Sequence, residues 1–87
     1  MRVLKFGAVW CSGCSIMKPI WEEIEKENPW LETDFFDYDE NRKIFKKYNV
    51  DKKLPCFIFF NNKGKEFLRL NGEISKKELI KIIQENK

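Results

Sequence analysis

Two cysteines, Cys11 and Cys14, are the residues of this sequence whose type and spacing most directly offer chemistry. They lie in the segment VWCSGCSIMKP, with Trp10 directly before the first cysteine and Pro19 five residues after the second. A Cys-x-x-Cys pair is half of a zinc site, a redox-active dithiol, or a coincidence of composition. The rest of the chain decides between these three.

The composition excludes several interpretations of the cysteine pair. The 87-residue chain contains three cysteines and no histidine. This excludes a Cys–His catalytic pair, a Cys₂His₂ zinc site and a Cys₄ site within one chain, so zinc would need a carboxylate or a second subunit to complete four ligands. The odd number of cysteines also argues against a structural disulfide framework. We therefore expect no metal and no other cofactor, and a redox role for the pair is favoured.

The distribution of charge indicates which partners to expect. Charged residues make up 36% of the chain, but both signs are mixed and the net charge is only +3. A nucleic-acid-binding surface needs Lys and Arg concentrated on one face. No apolar run reaches the ~20 residues of a membrane span, and Lys5 interrupts what would have to be the apolar region of a signal peptide. We expect a cytoplasmic monomer that binds neither nucleic acid nor membrane.

The hydrophobic pattern predicts the elements that position the two cysteines. Residues 2–6 form a predicted strand, which ends at Gly7. A helix is predicted from residue 11 or 12 to residue 26, and Pro19 inside it predicts a kink. Its apolar face, at helical spacing, consists of Ile16, Met17, Ile20, Trp21 and Ile24.

The remaining pattern completes a single α/β domain over residues 1–87. It predicts a strand at 33–38, a short helix at 40–48, a hairpin of strands at 54–60 and 65–70, and a last helix. The last helix begins at a capping box formed by Ser75 and Glu78. Asp34 and Asp37 within an aromatic strand are typical of a sheet edge. The order β-α-β-α-β-β-α predicts a four-stranded mixed sheet with helices on both faces, in which the first two strands are parallel.

A Cys-x-x-Cys pair that follows a strand and opens a helix inside a βαβ unit is typical of thioredoxin-like redox proteins. On that basis the chain resembles the thioredoxin superfamily almost from end to end, with a compact size closer to that of a glutaredoxin. The resemblance implies the thioredoxin fold. The residues that carry it, beside Cys11, are Trp10, Cys14, Pro19, Leu54-Pro55, Lys63-Gly64 and Gly72.

The resemblance also implies a role for each thiol. Cys11 lies at a helix N-terminus, where unpaired N–H groups and a partial positive charge favour the thiolate. We expect Cys11 to be exposed and to act as the nucleophile. Cys14 lies one turn further on and is expected to resolve the mixed disulfide.

The substrate-binding surface follows from the same resemblance. Pro55 is expected to be a cis-proline facing the dithiol, which exposes the backbone of Leu54 to an extended substrate segment. Trp10 and Gly72 are expected at the rim of this surface, together with the spacer residues Ser12 and Gly13.

Three positions depart from the family pattern. The Ser12-Gly13 spacer is neither Gly-Pro nor Pro-Tyr, so the reduction potential does not transfer. Lys5 stands where thioredoxins carry a buried acid, and either it lowers a thiol pKa from beneath the dithiol or its ammonium simply reaches water. Cys56 follows Pro55 where threonine is usual, and it is either a core residue or a third redox thiol near Cys14.

The expected function is a protein-disulfide reductase acting on disulfide-containing proteins. Its electron donor is expected to be a flavoprotein of the thioredoxin-reductase type, with glutathione the less favoured donor because its binding segments are only partly present. Two alternatives stay open at this point. One is a metal or iron–sulfur carrier using Cys11 and Cys14; the other is a partner-specific electron-relay module with little general reductase activity.

Overall fold

The computed structural model describes residues 1–87 and contains four strands and three helices. In chain order these are β1 (Arg2–Gly7), α1 (Ser12–Glu27), β2 (Glu32–Asp37), α2 (Arg42–Lys47), β3 (Cys56–Phe60), β4 (Glu66–Asn71) and α3 (Lys76–Glu85). The predicted order of elements and the α/β class are confirmed. Most predicted ends differ by only one or two residues, as is usual where helices and strands fray.

The strands form one mixed sheet in the order β2-β1-β3-β4. β1 pairs with β2 in parallel through the α1 crossover, and the β1–β3 and β3–β4 pairs are antiparallel. β2 therefore lies at an edge, as its aspartates predicted. Asp34 accepts hydrogen bonds from the Arg2 guanidinium on the neighbouring strand, at 3.0 Å from Nε and 2.5 Å from Nη2.

The two faces of the sheet bury separate apolar clusters. On the face covered by α1 and α3 the cluster consists of Val3, Met17, Trp21, Ile24, Leu31, Phe57, Phe59, Leu79 and Ile83. On the face covered by α2 it consists of Leu4, Phe6, Phe45, Val50, Cys56 and Ile58. Each large side chain removed from water contributes roughly 1.5–3 kcal/mol to folding. Successive residues of β3 alternate between the two clusters, as the period of a strand requires.

Helix α1 buries a narrower stripe than its sequence predicted. Met17, Trp21 and Ile24 are buried, whereas the side chain of Ile16 is half exposed. The prediction that Ile16 faces the core is wrong, because one residue turns the helix by about 100° and position 16 falls outside the 17–21–24 stripe.

The beginning of α3 agrees with its predicted cap. The Ser75 hydroxyl accepts a hydrogen bond from the Glu78 N–H at 3.2 Å, and Leu79 and Ile83 behind it are fully buried. None of the three helices combines the length and the apolar character needed to cross a bilayer.

Candidate active site

Cys11 is the N-cap of α1. Its backbone is extended (φ −98°, ψ 110°), and its Sγ accepts a hydrogen bond from the Cys14 N–H at 3.2 Å. The sulfur thus takes the place of the serine or asparagine oxygen that usually caps a helix. A second bond, from the Cys11 N–H to the Ala8 carbonyl at 3.2 Å, closes the turn between β1 and α1. The positive end of the helix faces Cys11 Sγ and favours negative charge there.

The exposure expected for Cys11 is wrong, since only 8% of the residue is accessible. The capping geometry folds the sulfur back over the first helical turn, where it bonds the Cys14 N–H instead of extending into solvent. The residues on either side of it in sequence, Trp10 and Ser12, are exposed. Sequence spacing predicted the cap position but could not predict the rotamer.

Cys14 lies directly over Gly7, the last residue of β1. A Cβ placed on Gly7 would come within 3.1 Å of Cys14 Sγ and within 3.0 Å of Phe35 Cε1. These distances are tighter than most Cβ contacts in proteins, so a larger residue at position 7 would push the Cys14 thiol and the Phe35 ring aside by a few tenths of an ångström. The sequence marked Gly7 only as the end of a strand, and Phe35 not at all.

The surroundings of Cys14 keep it protonated. The pKa of the thiol is raised to about 12, chiefly by burial and then by the hydrogen bond with Cys11. The Asp37 carboxylate adds a smaller increase, while a backbone hydrogen bond with Ala8 lowers the pKa. At neutral pH Cys14 is therefore a neutral thiol.

A cavity of about 430 Å³ opens beside Cys14, between α1 and the sheet. Its walls are mainly apolar and include Met17, Trp21, Phe35, Pro55 and Phe57. Its charged lining residues are Lys5, Lys18, Glu22 and Asp37. We call this space the Cys14 cavity.

The predicted cis-proline is confirmed: the Leu54–Pro55 peptide bond is cis, and Pro55 is buried beside the dithiol loop. A Cβ on Gly13 would approach Pro55 Cδ to 3.1 Å and Glu73 Cγ to 3.5 Å. Glycine in the spacer thus allows α1 to pack closely on Pro55. Gly72, with φ of +90°, donates its N–H to the Pro55 carbonyl at 2.8 Å.

The remaining predicted binding residues surround this centre. Trp10 is half exposed, and its ring meets that of Tyr38 edge-on, with centroids 5.7 Å apart. The Leu54 N–H donates to the Lys52 carbonyl at 3.0 Å, and the Leu54 side chain packs against the α2-side cluster.

Lys5 lines the Cys14 cavity, but its charge is already paired. Its Nζ lies 2.5 Å from Glu25 Oε2 on α1 and 5.8 Å from the centre of the Trp21 ring. The side chain is only 15% exposed, so it neither extends freely into water nor presents an unpaired cation to the thiols. The proposed effect of Lys5 on a thiol pKa stays a prediction.

Cys56 points to the other face of the sheet. It is 1% exposed and packs among Leu4, Phe6 and Phe45, whereas Cys14 lies on the α1 face. Burial raises the pKa of its thiol, and Arg69 and Asn71 lower it in part. The interpretation of Cys56 as a core residue is confirmed, and the alternative that places its sulfur beside Cys14 is wrong.

No three side chains of Cys, Asp or Glu in residues 1–87 come together in a group that could hold a metal ion. The candidate site consists of the Cys11 thiol that caps α1, the protonated Cys14 thiol over Gly7, and the buried cis-proline Pro55. The carbonyl of Pro55 accepts a hydrogen bond from the Gly72 N–H. Together with the sheet, this arrangement defines a dithiol protein of the thioredoxin fold.

Comparison with known proteins agrees with that class. A family model described as "Thioredoxin" matches residues 1–83. The chloroplastic Thioredoxin Y of Oryza sativa subsp. japonica is 32% identical over 83 residues, which cover 94% of this chain. The thioredoxin of Mycoplasmoides gallisepticum is 32% identical over 82 residues, covering 94% of this chain and 80% of its own length. The X-ray structure of Fasciola hepatica thioredoxin superposes with a TM-score of 0.88 at 34% identity, covering 99% of this chain and 80% of that one.

The chain belongs to the thioredoxin family. It spans about half the length of the rice relative, 48%.

Proposed function

We propose that this chain is a thiol–disulfide oxidoreductase that reduces protein disulfides, with Cys11 as the nucleophile and Cys14 as the resolving thiol. The observation that carries the proposal is the difference between the two sulfurs. Cys11 Sγ accepts an N–H at the positive end of α1, whereas the pKa of Cys14 is raised to about 12. Because the thiolate is the attacking species, the first attack falls to Cys11.

The proposed reaction has two exchanges. Cys11 thiolate attacks one sulfur of the substrate disulfide, which forms a mixed disulfide and releases the first substrate thiolate, protonated from solvent. Cys14 then loses its proton and attacks Cys11 Sγ, which forms the Cys11–Cys14 disulfide and releases the second substrate thiol. The substrate gains two electrons and two protons, and the dithiol loses two electrons.

The surface around the dithiol suits an extended polypeptide. Trp10 and Ser12 are exposed on one side of Cys11, and the Pro55–Gly72 pair lies on the other, within reach of Gly13. A substrate strand beside Leu54 and Pro55 would bring its disulfide to the N-terminus of α1. The proposed electron donor is a flavoprotein of the thioredoxin-reductase type, with both proteins in the cytoplasm.

The test is the reduction of insulin disulfides with dithiothreitol as electron source. We expect turnover by the wild-type chain and its loss in Cys11→Ser, because the nucleophile is removed. Cys56→Ala is the matched control: it removes a thiol of similar burial from the opposite face and is expected to keep the activity.

Equal activity in Cys11→Ser and the wild type would overturn the assignment of the nucleophile. Cys11-dependent reduction of a small aromatic disulfide without any reduction of insulin would instead contradict a general reductase and favour a partner-specific relay.

A further inference from the structure

Asp37 lies on the sheet face that carries the dithiol, next to the glycine under Cys14. In the parallel pairing of β1 with β2, Asp37 is the register partner of Gly7, and Phe35 is the partner of Lys5. Register partners in a sheet point to the same face and lie about 5 Å apart. Since Cys14 Sγ sits over Gly7, the Asp37 side chain occupies the neighbouring position on that face.

The Cys14 cavity contains both groups. Cys14 and Asp37 line it together with Lys5 and Phe35. The carboxylate raises the pKa of Cys14, which is the effect of a negative charge close to the thiol. The strand register, the shared cavity and the effect on the pKa of Cys14 thus all indicate that the Asp37 carboxylate lies beside the resolving thiol.

The second exchange requires that Cys14 give up its proton in this mainly apolar space. Charged groups line the cavity from three elements: Lys18 and Glu22 from α1, Lys5 from β1 and Asp37 from β2. Two more titratable groups lie near the dithiol loop: Cys11, the N-cap of α1, and Glu73 in the segment before α3.

Most of these groups cannot take the proton. Lysine ammonium groups have no free lone pair, and Cys11 is bonded to substrate at that stage. Glu22 is exposed and lies two helical turns along α1 from Cys14, and Glu73 lies against Gly13. Asp37 alone is a carboxylate beside the Gly7 position.

The Asp37 carboxylate is also held in place. Its Oδ2 accepts hydrogen bonds from the N–H groups of Asp39 at 3.1 Å and Glu40 at 3.3 Å. These bonds anchor one oxygen in the turn after β2, and Oδ1 takes no hydrogen bond from the chain. Oδ1 is therefore available to accept a proton.

We propose that Asp37 accepts the proton of Cys14 as this thiol attacks the mixed disulfide, the role that Lys5 cannot perform from the position where relatives carry an acid. The Cys14 S–H bond breaks as the Asp37 O–H bond forms, and the Cys14 electron pair forms the bond to Cys11 Sγ. The Cys11–substrate S–S bond breaks, and the departing thiolate takes the proton from Asp37. This step rests on the proposed two-thiol exchange but not on the nature of the protein substrate.

The experiment measures the second exchange directly. The reduced chain is mixed with one equivalent of a chromogenic aromatic disulfide, which releases one coloured thiol when Cys11 attacks and a second when Cys14 resolves. Asp37→Asn keeps the size of the side chain and an oxygen for the turn, but not a basic carboxylate. Asp34→Asn is the matched control, because Asp34 is on the same strand and faces Arg2 on the other side of the sheet.

Two expected results point in opposite directions. Removal of the negative charge lowers the pKa of Cys14, so its alkylation profile moves to lower pH in Asp37→Asn. Loss of the proton acceptor nevertheless slows the second release at pH 7 on the order of tenfold to a hundredfold, with the difference shrinking as pH rises. Asp37→Glu is expected to restore part of the rate, and Asp34→Asn to match the wild type.

If Asp37 acted only through its charge or through folding, the rate of the second release would respond differently to these substitutions. If the second release in a folded Asp37→Asn is as fast as in the wild type, or faster, the proposal is overturned. The same holds if the slowing is equal at every pH, or if Asp34→Asn slows it equally. Failure to reduce insulin with an intact second release would contradict the proposed function and leave Asp37 supported.

Discussion

Cys14 and Cys56 lie on opposite faces of the sheet and share one property. In both, burial is the largest cause that raises the pKa of the thiol. Their surroundings are otherwise different. Cys14 lies over Gly7, which has no side chain, beside a cavity of about 430 Å³. Cys56 is instead packed among apolar side chains.

The two thiols show that a raised pKa and chemical reactivity are separate properties of a buried cysteine. Around Cys56 the rings of Phe6 and Phe45 pack edge-on with centroids 5.0 Å apart, which fills the space a reactant would need. Around Cys14 the cavity admits movement of the sulfur, Cys11 lies one helical turn away, and Asp37 offers a basic oxygen. A raised pKa therefore identifies a buried thiol, while space, a sulfur partner and a proton acceptor identify a reactive one.

The largest expected effect is the pH dependence of alkylation. Below a pKa of about 12, the thiolate fraction of Cys14 rises tenfold for each pH unit. Its reaction with iodoacetamide should therefore accelerate about a thousandfold between pH 7 and pH 10. Cys56 should stay unmodified over the same range while the chain is folded, because it opens only with the core. Peptide mapping by mass spectrometry of the fully reduced chain measures both residues in one sample.

If Cys56 is alkylated in parallel with Cys14, the distinction between the two faces fails. A denatured sample provides the control, since all three cysteines then react as free thiols.

Gly7→Ala tests whether space at Gly7 is what makes Cys14 reactive. The new methyl group would press on Cys14 Sγ at 3.1 Å and on Phe35. We expect a loss of about 1–3 kcal/mol in the free energy of unfolding from overpacking. The release of the second coloured thiol should slow roughly tenfold as the sulfur moves from its attacking position.

Gly64→Ala is its control, because Gly64 has φ of +79° and no atom within 4 Å of an added Cβ. That change is expected to cost about 1–2 kcal/mol from backbone strain and to leave the exchange rates unchanged. Equal rates in Gly7→Ala and the wild type would show that the close packing at Gly7 has no part in the chemistry.

The smallest effect is expected from Lys5→Met. The ammonium is paired with Glu25 at 2.5 Å in a partly buried position, so its removal should lower the free energy of unfolding by about 1–2 kcal/mol without changing the exchange rates. The alkylation profile of Cys14 should not move. A shift of the profile to higher pH, with Lys18→Met unchanged, would show that the Lys5 charge does stabilise a thiolate.

Much of the site could be predicted because it depends on local order along the chain. Cys11 caps a helix and Cys14 follows one turn later, since a strand, a turn and an amphipathic helix succeed each other there. The cis bond at Pro55 and the position of Gly72 were also predicted, but through family resemblance and not through pattern.

The errors arose where a side chain's direction depends on several elements at once. Ile16 has the right spacing for one helical stripe but not for the stripe that α1 buries. The exposure of Cys11 depends on a rotamer chosen by the capping bond. Asp37 was correctly predicted at a sheet edge, but its place beside Gly7 was missed, because no local pattern sets the register of β2 against β1.

By itself, the sequence determined the order of elements, the parallel crossover and the helix N-terminus that holds the dithiol. These follow from hydrophobic period, turn residues and capping, which act over a few residues along the chain. Only the tertiary structure decided which residues meet Cys14: Gly7 beneath it, Asp37 beside it, and Lys5 diverted to Glu25. These contacts join residues distant in sequence, and they depend on strand register and side-chain direction, which are chosen by the packing of the whole sheet against its helices.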